Sequence, residues 1–136
     1  MKRQFCFAAY VIAFTCSTAV FADGDADYQK WMKTAGATSG SLRKNIEAKN
    51  GEAASADAKK LEAVFKEVHG YWHGKGVQDA MMLAMDANAK FKEVAEQSSA
   101  GKFDEAAASL KKAMSNCGAC HNAHREKAAD GSWKIK

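Results

Sequence analysis

Cys117, Cys120, His121 and His124 stand three and four positions apart near the end of the chain, so on a helix they share one face. The run Cys117-Gly118-Ala119-Cys120-His121 is C-x-x-C-H, the attachment pattern of a c-type haem. Its spacing suits that chemistry. Two sulfurs on one face can form thioethers to the two vinyl groups of a porphyrin, and the imidazole beside the second sulfur can reach the iron. Two other chemistries share these residue types. A bare C-x-x-C also serves as a thioredoxin-like redox pair, and two cysteines with two histidines make a zinc donor set. Structural zinc knits separate segments together, however, and four ligands on one helix would fold nothing.

The other two cysteines, Cys6 and Cys16, fall in a segment with the pattern of a secretory signal. Lys2 and Arg3 precede an apolar run from Phe5 to Phe21, and Val20-Phe21-Ala22 supplies the small residues of a cleavage site. The expected cut follows Ala22, leaving residues 23–136 as one domain. The run is short for a membrane span of about 20 residues, and Thr15, Cys16, Ser17 and Thr18 interrupt it. The expectation is therefore export without stable membrane insertion. Phe14, bulky and just ahead of Cys16, argues against a lipid anchor there. The exported chain then keeps only the two motif cysteines, so it has no disulfide framework even where disulfides persist.

Composition bounds the rest. Cleavage leaves 114 residues, enough for a single core. There is no proline, whereas ordinary usage of about 5% would supply several. Alanine, lysine and glutamate are abundant and β-branched residues sparse, so an all-α domain is expected. Without Lys2 and Arg3, 18 basic residues face 16 acidic ones, a net charge too small and too evenly spread to imply nucleic acid.

Hydrophobic periodicity predicts four amphipathic helices separated by short glycine-containing breaks. The first is expected over 27–49, with Tyr28, Trp31, Met32, Ala35, Ser39, Leu42 and Ile46 on one face and Asn50-Gly51 as its αL cap. The second starts near Ser55 and turns Ala58, Leu61, Phe65, Val68 and Trp72 inward, ending at His73-Gly74-Lys75-Gly76. The third spans 78–98 with Met81, Ala84, Met85, Asn88, Phe91 and Ala95 inward. The fourth takes Asp104 as N-cap and runs to about Ala129, leaving a polar tail. Four such helices with short loops predict an antiparallel up-down-up-down bundle, a fold that builds cofactor sites between facing helices.

In this arrangement the chain resembles the class II c-type cytochromes, cytochrome c′ and its low-spin, methionine-ligated relatives. Two stretches carry the resemblance: Cys117-Gly118-Ala119-Cys120-His121 followed by Arg125, and Tyr28-Gln29-Lys30-Trp31-Met32-Lys33 with Gly40 eight residues after Met32. Class I cytochromes c place the motif near the N-terminus with the second iron ligand much later, an order this chain does not allow. The resemblance implies one covalently attached haem c, with Cys117 and Cys120 as thioether attachments and His121 as proximal iron ligand. It further implies Arg125 as a propionate contact, one helical turn beyond His121, and Met32 as distal iron ligand.

Methionine on an apolar helical face is ordinarily core filler, and the position matched to the family's distal residue is what singles Met32 out. Ala35, Gly36, Ser39 and Gly40 follow it on nearly the same face, and each helical glycine costs about 1 kcal/mol relative to alanine. Either a flat porphyrin or a close helix crossing would use that space. Met81, Met82, Met85 and Met114 read as core, with Met85 or Met81 in reserve as sixth ligand. His69 and His73 have metal-ligand spacing but sit at a helix end, as exposed C-terminal histidines do. Lys111, Lys112 and Lys127 are candidates for steering an acidic partner and equally for a solvated face.

The expected protein is thus a periplasmic one-electron carrier that works with redox partner proteins, and the resemblance leaves open a homodimer paired through the first two helices. No paired carboxylates or nucleophile–base set point to an enzyme. A five-coordinate relative that binds nitric oxide or carbon monoxide is the first alternative. A haem-free zinc-binding or helical interaction module is the second.

Overall fold

The computed structural model describes residues 21–136. The signal-peptide expectation, on 1–22, lies almost wholly outside them. Four helices follow one another: α1 (Phe21–Glu47), α2 (Gly51–Lys75), α3 (Gln78–Ser99) and α4 (Phe103–His124). Among the described residues no helix is long and apolar enough to cross a membrane.

Each helix packs on the next, and cross-helix contacts fix the directions. Asp25 near the start of α1 accepts from Tyr71 near the end of α2, while Asn45 near the end of α1 donates to Asp57 near the start of α2. Ser99 donates to Ser55, and the Phe65 and Phe91 rings lie 5.1 Å apart. Along α3 and α4 the pairs are Asp79 with His124, Asp86 with Asn116 and Glu93 with Ser109. Consecutive helices are therefore antiparallel, as in an up-down-up-down four-helix bundle. Leu42, Leu61, Trp72, Phe91 and Val94 are its largest fully buried apolar side chains.

The α2 stripe is buried as expected, every one of Ala58, Leu61, Phe65, Val68 and Trp72. The α3 stripe is turned. Ala84, Phe91 and Ala95 are inside, but they are joined by Ala80, Ala87 and Val94, while Met82 and Met85 are each 54% exposed. Alanine at the contact lets α3 approach both neighbours closely, and that geometry sends the longer methionines outward. Met82 and Met85 are thus not core.

The first break also differs. Lys49 takes the left-handed conformation (φ 55°), and Asn50 caps α2 by accepting from the Ala53 N–H at 3.1 Å. Gly51 opens α2, where a Cβ would lie 2.6 Å from the Ser98 carbonyl oxygen, so a close approach between α2 and α3 requires glycine there. Lys102, not Asp104, precedes α4 as its cap residue.

The largest departure is at the end. Helix α4 stops at His124, and Arg125 is extended (φ −126°, ψ 138°). In place of a longer helix and a tail, β1 (Arg125–Lys127) pairs antiparallel with β2 (Trp133–Ile135), Arg125 opposite Ile135. Asp130 accepts from the Ser132 N–H and hydroxyl, and Gly131 adopts φ 81°, which makes Asp130-Gly131 a turn. Ile135 packs against the core and the Lys136 N–H donates to the His124 carbonyl, tying the hairpin to the bundle.

Candidate functional site

Although α1 packs on α2, and α4 on α3, α1 and α4 barely touch. Between them lies a small cavity of about 100 Å³ that opens to solvent. Helix α1 lines it with Tyr28, Met32, Ala35, Gly36 and Ser39, and α4 with Met114, Asn116, Cys117, Cys120 and His121. Phe65 and Val68 of α2 and Leu83 and Ala84 of α3 form its floor. A Cβ added at Gly36 would meet nothing within 4 Å, and the same holds at Gly40. No close helix crossing therefore uses these glycines, and Gly36 opens onto the cavity.

Both cysteines are free and half-buried. Burial first, then the neighbouring Cys120, pushes the Cys117 thiol up to about 11, and burial also raises Cys120. Reactive C-x-x-C pairs have lowered thiol pKa values in electropositive surroundings; these thiols are shifted the opposite way. Burial, and secondarily Arg125, lowers the pKa of His121, keeping its imidazole neutral with a free nitrogen lone pair at neutral pH, the form that binds a metal.

Of the expected site residues, Cys117, Cys120, His121 and Met32 are brought to the one cavity. Met114 joins them, but it shares a helix with His121 and so lies beside it, whereas Met32 comes from the facing helix. The reserve ligands Met81 and Met85 line no part of the cavity. His69, half-buried, and His73, exposed, stand with ring centroids 6.2 Å apart, and neither reaches it.

His124 is engaged outside the cavity, with its Nε2 2.7 Å from Asp79 Oδ2 and its ring 5.1 Å from Trp72. Among the described residues, no three His, Cys, Asp or Glu side chains converge as metal ligands. Arg125 lies on β1, not one helical turn beyond His121, and its guanidinium carbon sits 3.9 Å from the centre of the Trp133 ring. The Arg125 Nε is buried without a hydrogen-bond partner. Lys111, Lys112 and Lys127 are exposed.

Sequence reasoning missed Trp133 and Lys134, which line the mouth of the site from the hairpin, and Lys33, which lines it from α1. The Asp130-Gly131 turn signal was the one available clue to the hairpin. These residues fit a haem: the donor set has the right chemistry, the cavity walls are apolar, and the Nε of Arg125, a cation at the mouth, lacks a hydrogen-bond partner. Compared with known proteins, the chain matches no family model, no curated protein and no solved structure.

Proposed function

We propose that this chain is an exported mono-haem cytochrome of class II type, a one-electron carrier of the bacterial periplasm. The observation that supports it best is the gathering of Cys117, Cys120 and His121 from α4 and Met32 from α1 on one apolar cavity between two helices that barely touch. Cys117 and Cys120 would hold haem c by two thioethers, and the His121 imidazole and the Met32 thioether would be the donors to its iron. When bound, the haem iron supplies a one-electron couple, and methionine in place of a second histidine raises its potential.

The chain's own work is to orient and to insulate. Helix α4 presents sulfurs and imidazole together from one rigid face, so attachment also sets the direction of the proximal ligand. Tyr28, Phe65, Val68 and Leu83 exclude water from the cavity floor, lowering the local dielectric and limiting what must reorganise when charge changes. The neutral state of His121 leaves it ready to coordinate. Redox partner proteins are the expected counterparts, and no catalytic step is assigned to the chain.

The test is an absorption spectrum of the purified protein in both oxidation states, with carbon monoxide added, followed by denaturation and acid–acetone extraction. Haem that resists extraction, with low-spin spectra indifferent to carbon monoxide, supports the carrier. A high-spin spectrum that responds to the gas replaces it with a nitric oxide- or carbon monoxide-binding protein. A colourless protein leaves the zinc-binding or helical interaction module.

A further inference from the structure

The cavity between α1 and α4 opens, past Tyr28, Met32, Gly36, Cys120 and His121, into a wider cleft of about 660 Å³ whose outer wall is the C-terminal hairpin. The two spaces differ in charge. No Lys, Arg, Asp or Glu lines the inner cavity, whereas Lys33, Arg125 and Lys134 line the outer cleft and no carboxylate does. The buried, unpartnered Arg125 Nε is the costly member of this group, because an unsatisfied buried donor costs about 1–3 kcal/mol and a charged one more. Arg125 itself lines the cleft, where an acceptor oxygen can meet its guanidinium. A flat apolar ligand with carboxylates along one edge matches this division of the space.

We infer that the C-terminal hairpin is a carboxylate clamp: Arg125 and Lys134 on its strands, with Lys33 from α1, bind the two carboxylates of the cofactor, and Trp133 positions Arg125. The inference rests on the haem reading above. It also changes how Arg125 is delivered, since a strand and not a helical turn carries it, and the strand pairing is what brings Trp133 and Lys134 to the same mouth.

The Trp133 ring sits 3.9 Å from the guanidinium carbon, a cation–π contact that holds the group's direction. The hairpin in turn is tied to both helices of the cleft. Gln29 of α1 donates to the Trp133 carbonyl at 3.4 Å, and the Lys136 N–H donates to the carbonyl of His124 at the end of α4. Lys134 now pairs with Glu126 at 3.0 Å, both side chains about half exposed. Such a surface pair is weak, so Lys134 is free to exchange it for a carboxylate in the cleft.

The test uses the haem-loaded mature chain and resonance Raman spectroscopy, whose low-frequency bending bands report the hydrogen bonding of the haem carboxylate arms. Lys33→Gln and Lys134→Gln should each move a bending band to lower frequency, and Lys134→Arg should restore it. Trp133→Leu should shift the band that Arg125→Gln shifts. Lys136→Gln, outside the cleft lining, should change neither. Covalent haem with bands unmoved in Lys33→Gln and Lys134→Gln overturns the clamp and leaves the electron carrier standing. A chain that carries no covalent haem overturns both.

Discussion

Met32 on α1 and His121 on α4, 89 positions apart in the chain, line the same apolar cavity. Under the proposed function these two would be the donors to the iron, Met32 from the helix facing His121, whereas Met114 shares the helix of His121. In the haem-loaded protein, Met32→Ala is expected to abolish the long-wavelength sulfur-to-iron band, give high-spin spectra and admit carbon monoxide. Met114→Ala should leave all three traits as in the wild type. If both variants keep the wild-type spectrum, Met32 is packing only.

The two thiols offer a test in the chain made without haem. With Cys117 raised from 9.0 to about 11 by burial, its thiolate fraction at pH 8 falls about a hundredfold, and alkylation should slow by a similar factor because the thiolate is the nucleophile. Urea-unfolded protein should restore the ordinary rate. The linkage has a definite sign. A thiol whose pKa is raised on folding contributes its full share of stability below about pH 9 and loses it as pH climbs toward 11. The urea midpoint of haem-free chain should therefore decline across that window, and Cys117→Ser should flatten the decline.

Two glycines make a matched pair. At Gly51 a Cβ would lie 2.6 Å from the Ser98 carbonyl oxygen, whereas at Gly36 it would meet nothing within 4 Å. Gly51→Ala should destabilise the fold by about 1–3 kcal/mol, since helix backbones must separate. Gly36→Ala should instead stabilise the haem-free chain by up to about 1 kcal/mol through helix propensity. Thermal melts of the two variants, made side by side, read both signs. Equal destabilisation would mean that Gly36 faces packed protein.

The turned face of α3 gives a third contrast. Phe91 is fully buried against Phe65, while Met85 is 54% exposed. Phe91→Ala is expected to cost about 3–5 kcal/mol, and Met85→Ala to stay within about 0.5 kcal/mol. A large loss at Met85, measured by urea unfolding, would restore it to the core.

Much of the fold was legible because long helices repeat their pattern many times. Over the 25 residues of α2 the apolar stripe recurs often enough to define a face, and Ala58 through Trp72 are buried as the spacing requires. On α3 the pattern alone was ambiguous, since alanine and methionine both count as apolar. Close packing against α2 and α4 favours the smaller side chain, a choice that depends on neighbours the local sequence does not name. The hairpin was hidden for a related reason. Strands of three residues are too short to show alternation, and what holds them is remote: Ile135 on the core and Gln29 reaching the Trp133 carbonyl.

The site divides in the same way. C-x-x-C-H needs only helical geometry to place two sulfurs and an imidazole on one face, so the sequence by itself determined that local group and the helical bundle that carries it. Which side chains stand opposite depends on how the first helix lies against the last, and nothing local encodes that. Only the tertiary structure decided that α1 and α4 leave a cavity between them, with Met32 on it and Arg125 on a strand at its mouth, because packing against α2 and α3 positions both helices.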